Sequence, residues 1–392
     1  MAGTRKGYWQ DAYQVTFQSH VARISGNNII LDETFFYPAS GGQACDRGVL
    51  VIAGKSFNVQ EVLKEGDNVI HAVKPAPGNA VVPGMIADGM IDWDRRNALM
   101  RAHSAQHVLS ARIAARFHLS TTEVSIQPDI ASINLNNQIN LDQLEEVLTI
   151  VNRDCTTSHP VTTSISPRDK AISDHAGRIR GEMSTEDPVR IVEIKDIDIM
   201  CCGGTHVKDT SEIGLILVIK FKGGREIKFV VGKEAVAMLA KMNTGMISAA
   251  ATLNKDMLQL AEAVEKQVKN SKLLEEQADQ LAIELLDREA RCHGLQASSG
   301  IRIHVLKAIT NKKIATAHFN NFSPGSILAI QGDKGSLQIY SNADTVKANE
   351  LIQALVERLG GKGGGNPKIA QGMLEKEPED LGALLMEILS KS

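Results

Sequence analysis

Between residues 12 and 85, apolar and polar positions alternate in short runs such as YQVTFQSHVARIS and NNIILDETFF, punctuated by SGGQ, PAPGN and VVPGM. A period of two marks half-buried strands, and glycine and proline clusters mark the turns between them. The stretch therefore predicts a small β domain, barrel-like in character. The period changes near residue 92. In DWDRRNALMRAHSAQHVLSARIAARFH (92–118), Leu99, Ala102, Leu109, Ile113 and Phe117 fall on one face at helical spacing, with Asp92 or Asp94 as the N-cap. A second helix is predicted over 141–154. PVRIVEIKDIDIM (188–200) reads as one strand running into CCGGTHV (201–207). LILVIKFKGGREIKFVVG (215–232) reads as a hairpin turning at Gly223 and Gly224.

Residues 245–291 lack proline and contain one glycine, Gly245. Met257, Leu260, Val264, Leu274, Ala278, Leu281 and Leu285 form a seam at 3-4 spacing, broken by Gln267 and Ser271. This predicts one long helix, or a helical hairpin with a break near 267–272, serving as a spacer or a dimerisation element. Beyond it, strands are predicted near 301–308, 314–319, 326–331 and 336–340. ANELIQALVERLG is a helix, GGKGGGNPKIAQG (360–372) a glycine-rich segment, and the tail from 374 an acidic helix. The class is α+β and multidomain: a small β-barrel-like domain (1–88), an α/β domain (89–240), a long coiled-coil-like helical segment (241–294) and a C-terminal α/β domain (295–392).

Composition changes little in this picture, with 43% hydrophobic and 23% charged residues over 392 positions. The net charge of −3 gives no global pull toward a polyanion, so such a partner must be met by local patches. Residues 290–332 carry Arg291, Arg302, Lys307, Lys312 and Lys313 with no acidic residue. Residues 208–233 carry six basic and three acidic residues, and Arg95, Arg96, Arg101, Arg112 and Arg116 follow the first helix. Five irregularly placed cysteines make no disulfide framework. The polar N-terminus lacks a signal-peptide core, and the longest apolar run, IGLILVI (213–219), is too short to span a membrane. A cytoplasmic protein without a membrane partner is expected.

The chemistry concentrates in two short motifs. His103 and His107 in HSAQH are four apart, which stacks both imidazoles on one helix face within reach of one ion. Ser104 stands where H-E-x-x-H has its glutamate, which argues against a zinc metalloprotease. CGGTH places Cys202 and His206 so that the intervening glycines let both side chains converge. Three imidazoles and a thiolate suit one Zn2+ per chain in a tetrahedral site. Such a site either stabilises the fold or acts on a substrate, and the spacing leaves both open.

HSAQH followed about a hundred residues later by CCGGTHV resembles the editing domain of alanyl-tRNA synthetase. LDETFFYPASGGQACDRGVL (31–50) is similar to that family's N-terminal signature, and LGGKGGGNPKIAQG is similar to the end of its DHH-associated domain. No aminoacylation domain is evident. The order of motifs resembles the long form of the free-standing alanyl-tRNA editing proteins. The resemblance makes 89–240 the zinc-containing editing domain and 295–392 the DHH-associated domain. It implies a deacylase of mischarged tRNA(Ala) that cleaves Ser-tRNA(Ala), with Gly-tRNA(Ala) as a candidate second substrate. It implies that Thr34 lines the serine pocket with Gly41, Gly42 and Gln43, that Cys202 rather than Cys201 is the thiolate ligand, and that the C-terminal domain helps to hold tRNA. Arg302, Lys307, Lys312, Lys313, Lys362 and Lys368 are the expected phosphate contacts, the glycine cluster offering backbone N–H groups or a flexible hinge. Gln43 is a candidate for the chemistry, Asp46 for capping a turn with Arg47 and Gly48, and Cys45 is structural. Ser40 replaces the usual first glycine of the triplet, which bears on the choice between serine and glycine. A homodimer through the helical arm or the end domain is expected. A threonyl-type editing hydrolase and a non-enzymatic tRNA-binding protein with structural zinc are the alternatives.

Overall fold

The computed structural model describes residues 3–297, 299–307 and 311–390. The chain forms two compact units, Met1–Met246 and Ile247–Ser392.

The first unit opens with β1 (Arg5–Lys6), β2 (Thr16–Ser25), β3 (Asn28–Leu31), β4 (Glu33–Thr34), β5 (Gly48–Ile52), β6 (Lys55–Glu65), β7 (Asn68–Lys74) and β8 (Ile86–Ile91). Six of these close a barrel in the order β2-β3-β7-β6-β5-β8, so the barrel-like reading holds. Alternation decides which side chains fill it: Phe17 and Val21 from β2, Phe57, Val59 and Val62 from β6, and Ala87 and Ile91 from β8 are buried between exposed neighbours. The short β1 and β4 pair in parallel beside it.

Helix α1 (Trp93–Phe117) follows, with the Asp92 carboxylate accepting from Arg95 N at 3.1 Å as its N-cap. An apolar stripe understates its burial. Between Leu99 and Ala111 nearly every side chain is buried, Ser104, Gln106 and Ser110 included. The reason is packing on several sides, against α2 (Leu141–Thr156) and the sheet β14-β15-β10-β9, made of β9 (Thr121–Ile126), β10 (Ala131–Leu135), β14 (Ile216–Lys222) and β15 (Glu226–Val231). The predicted hairpin is β14–β15, with Gly223 and Gly224 at its turn. A three-stranded sheet joins β11 (Val161–Ser166), β12 (Val189–Ile194) and β13 (Asp198–Cys201), with α3 (Arg168–Asp174) packed on β12. The single strand expected over 188–200 is thus a hairpin. Asp196 takes a left-handed conformation (φ 63°) and folds β13 back on β12, a turn that strand alternation alone does not reveal.

α4 (Gly232–Thr252) contains the division between the units, and α5 (Leu260–Ala290) runs unbroken. The break lies at 253–259, where Asn254 is left-handed (φ 51°), and not at 267–272. Gln267 and Ser271 are solvent-exposed helix residues there and interrupt nothing. Val264, Leu274 and Leu281 of the seam are 47%, 64% and 65% exposed.

The second unit is a six-stranded sheet, β16-β17-β18-β19-β21-β20, from β16 (Leu295–Gln296), β17 (Arg302–Lys307), β18 (Ser326–Gln331), β19 (Ser336–Ser341), β20 (Gly361–Gly365) and β21 (Ile369–Leu374). Helices α6 (Lys312–Phe319), α7 (Ala348–Leu359) and α8 (Leu381–Ser390) complete it. Two expectations change. Residues 312–319 are a helix and not a strand: Asn311 caps it, and Ala315 and Phe319, four apart, are its buried positions. The glycine-rich run is the edge strand β20, paired along its length with β21, and not a hinge.

Candidate metal centre and editing cavity

The HSAQH and CGGTH motifs meet in the first unit. The ligand atoms of His103, His107, Cys202 and His206 all lie within 4.8 Å of one another. Cys202 Sγ is 3.5 Å from His103 Nε2 and 3.3 Å from His206 Nε2. Ligands at Zn–N and Zn–S distances of about 2.0 and 2.3 Å sit about 3.5 Å apart on a tetrahedron, so the donor set and its spacing fit Zn2+. The three histidines are buried and Cys202 is partly buried.

Each imidazole is held from behind. His103 Nδ1 donates to Gln43 Oε1 at 2.7 Å, His107 Nδ1 to Asp198 Oδ2 at 3.1 Å, and His206 Nδ1 to Ser104 Oγ at 3.1 Å. These bonds leave all three Nε2 atoms free to face the thiolate. Ser104, which removes the protease glutamate, thus orients a ligand.

Crowding shapes the electrostatics. Burial pulls the His206 imidazole down to about 3, and the neighbouring His103 adds to this. Burial also lowers His107, but the Asp198 carboxylate and Cys202 outweigh it and push it up to about 9. Burial alone would raise the Cys202 thiol, yet His103 and His206 carry it well below its ordinary value. Such donors compete for protons, a competition that a shared cation relieves.

Local geometry explains how the motifs reach this point. In SGGQ, Gly41 (φ 57°) and Gly42 (φ 83°) are left-handed and form a two-residue turn between Ser40 and Gln43. A side chain at Gly42 would meet Val124 O at 2.4 Å, so the turn lies directly on β9. This brings Gln43 under His103, where Oε1 also accepts from Thr205 N (3.1 Å) and Nε2 donates to Thr205 Oγ1 (2.8 Å). Gly204 is required for packing, since a Cβ there would lie 2.2 Å from His103 Cε1. The buried Arg190 shapes the same loop by donating to the carbonyls of Cys202 (2.9 Å) and Gly204 (2.8 Å). Cys201, one residue away, packs with Met183 and Ile199.

A cavity of about 270 Å³ opens beside the cluster, lined among others by Tyr37, Gly41, His103, His107, Glu123, Arg180 and Cys202. The expected pocket residues are distributed around it unequally. Gly41 lines it, whereas Gln43 is buried behind His103. Thr34 is fully buried, with its hydroxyl 2.8 Å from His71 Nε2 and accepting from Phe36 N at 3.1 Å, and is not among the lining residues. Asp46 does not cap its turn. Its carboxylate is buried against Arg96 and accepts from Tyr37 N at 2.6 Å. The arginines of α1 are largely engaged: Arg96 with Asp46, Arg112 with Asp154 and Arg116 with Glu146. In the second unit, Lys312 and Lys362 share a cavity of about 920 Å³ floored by Gly363, Gly364 and Gly372. Arg302, Lys307, Lys313 and Lys368 lie outside its lining.

Sequence reading missed Asp198, Arg180, Arg190 and Glu123. Of the groups behind the imidazoles, Gln43 and Ser104 lay inside motifs the sequence singled out, whereas these four carry no spacing signal relative to them.

Three family profiles match successive parts of the chain that carries this cluster. Residues 10–95 match tRNA synthetases class II (A), 189–228 the threonyl and alanyl tRNA synthetase second additional domain, and 296–391 the DHHA1 domain. The alanyl-tRNA editing protein AlaX-L of Pyrococcus horikoshii is 28% identical over 401 residues, covering 97% of each chain. The alanine–tRNA ligases of Methanoregula boonei and Pyrococcus abyssi are 28% and 29% identical, over 94% and 95% of this chain. The chain spans only 41% and 42% of those ligases. The chain is a relative of the long free-standing alanyl-tRNA editing proteins. The C-Ala domain of the Aquifex aeolicus alanyl-tRNA synthetase aligns with 24% of the chain at 23% identity, with a TM-score of 0.21.

Proposed function

We propose that this protein edits alanyl-tRNA in trans, hydrolysing the ester that joins a wrong amino acid, serine foremost and glycine second, to tRNA(Ala). The observation that carries the reading is the four-donor cluster opening on a cavity whose wall holds both a carboxylate, Glu123, and a guanidinium, Arg180. An aminoacyl ester has an α-ammonium near its carbonyl and phosphodiesters beyond its ribose, and the two side chains match those opposite charges.

The task explains why a second site exists. Serine is alanine plus a hydroxyl, and an apolar pocket rejects an added hydroxyl only about 10²-fold. A site that pairs the hydroxyl with a buried polar group prefers serine, because alanine leaves that group unpaired. Gly41 presents its backbone at the cavity, and the polar groups that line it beside Gly41 are the ones placed to read the hydroxyl, Thr34 being buried behind the wall against His71.

His103, His107, Cys202 and His206 hold Zn2+, which when bound supplies a Lewis acid for the ester carbonyl. Gln43, Asp198 and Ser104 orient the three imidazoles, and Glu123 receives the α-ammonium. In the second unit, Lys312 and Lys362 meet tRNA phosphates, with Arg302, Lys307, Lys313 and Lys368 adding charge at its surface. The exposed apolar positions of α5 form a homodimer contact. Among the described residues no helix is long and apolar enough to cross a membrane, in keeping with work on tRNA in the cytoplasm.

The test is a deacylation panel with Ser-, Gly- and Ala-charged tRNA(Ala). The expected order of rates is Ser, then Gly, with Ala resistant, and His103→Ala or Cys202→Ala abolishes metal binding and hydrolysis together. Hydrolysis surviving in a metal-free His103→Ala protein overturns the reading.

A further inference from the structure

A line of contacts runs from the cavity wall to the back of one ligand. Arg180 donates from Nε to Asp198 Oδ1 (2.8 Å) and from a terminal nitrogen to Oδ2 (2.7 Å), and Oδ2 also receives His107 Nδ1 at 3.1 Å. We propose that Asp198, held by Arg180, is the positioning residue that sets metal affinity at this cluster. The inference rests on reading the cluster as a metal site, and goes beyond the ligand set itself.

The three imidazoles are backed by groups of unequal strength. Gln43 offers an amide oxygen and Ser104 a hydroxyl, whereas Asp198 alone brings a negative charge. A charged acceptor makes the stronger hydrogen bond and raises the basicity of the ring's other nitrogen. His107 is therefore the best-fixed and most basic of the nitrogen donors. Asp198 is not itself a fifth ligand, because it contacts Nδ1, on the side of the ring away from Nε2.

A buried carboxylate needs compensation. Asp198 is 6% exposed, and its two oxygens accept a forked pair from Arg180 besides the imidazole. The fork is fixed in turn: Arg180 N donates to Ile199 O at 2.8 Å, tying the segment before β12 to β13. The planar guanidinium holds the carboxylate in one orientation, which a lysine point charge does not. Asp198 opens β13 and Cys202 immediately follows it. One short strand thus begins with the carboxylate that aims an imidazole and delivers the thiolate at the residue just past its end.

The test uses the full-length protein stripped of metal by a chelator and titrated with Co2+ under reducing conditions. The d–d and thiolate charge-transfer bands report an N/S tetrahedral site, and competition with a chromophoric chelator gives the affinity. Wild type is expected to take one Co2+ per chain. Asp198→Asn, which keeps a neutral acceptor, is expected to weaken binding about 10–100-fold. Arg180→Met is expected to weaken it in the same direction by a smaller factor, with Arg180→Lys rescuing only part. The metal-free Arg180→Met protein is expected to unfold at a lower temperature, since a buried carboxylate loses its partner, yet to keep a cooperative transition and the wild-type circular dichroism at the temperature of the titration, which separates positioning from general damage. Asp198→Asn and Arg180→Met proteins that bind Co2+ as tightly as wild type, with unchanged spectra, overturn the proposal. If Asp198→Asn does not fold, unchanged affinity in Arg180→Met alone overturns it. No activity is read, so the result is independent of the ester substrate. Failure of the metal reading itself is distinct and visible as a wild type that takes up no Co2+.

Discussion

At the scale of the residue, the site depends on side chains whose second atoms are occupied. Gln43 illustrates this: its amide bonds His103 and Thr205, so it organises the ligands from within the protein. Gly204 is equally constrained, and Gly204→Ala is expected to push on His103 and lose bound metal, measured by metal content of the purified protein, with little change in circular dichroism. His71 carries a different consequence. It is fully buried between Ile29 O and Thr34 Oγ1, and burial pushes its imidazole down to about 4 from an ordinary 6.5. The unfolded chain therefore binds a proton between those values that the folded chain refuses. His71 contributes stability that is fully present above pH 6.5 and is lost as pH falls toward 4, about 3 kcal/mol in all. Urea midpoints measured from pH 7 to 4 should fall more steeply for wild type than for His71→Gln. Equal slopes would show that His71 does not titrate in this way.

At the scale of the element, α1 ties the barrel to the His/Cys cluster. Its first turns carry Arg96, buried on Asp46 and donating to Phe35 O (2.5 Å) and Ala12 O (2.7 Å), and its middle carries His103 and His107. Asp46→Ala leaves Arg96 buried and unpaired, which is expected to cost about 3–5 kcal/mol. Chemical denaturation checks this, and a loss below about 1 kcal/mol would mean that water reaches Arg96 in the variant. The helix itself was legible from periodicity and from Asp92. The burial of its polar face was not, because periodicity reports one packed side and α1 is packed on several. The β12–β13 turn was hidden for a related reason. A left-handed Asp196 between two β-rich runs leaves their apolar pattern nearly continuous.

At the scale of the whole molecule, the two units divide the proposed work. The cluster and its cavity lie wholly in Met1–Met246, and the lysine-lined glycine sheet wholly in Ile247–Ser392. A chain ending at Met246 is expected to keep its metal and hydrolyse Ser-tRNA(Ala) at high substrate concentration. Its KM should rise at least tenfold, and the salt dependence of tRNA binding should flatten as phosphate contacts are lost. An unchanged KM and salt slope would move tRNA binding to the first unit. The sequence by itself determined the barrel, α1, the order of the modules and the four donors, because periodicity and spacing are local properties written along the chain. Only the tertiary structure decided which groups stand behind those donors. Asp198, Arg180 and Arg190 reach the site through sheet pairing and loop closure, and Gln43 reaches it through a turn laid on β9. Contacts between residues far apart in sequence leave no periodic trace, so the four clustered side chains were readable from their motifs and the groups that hold them were not.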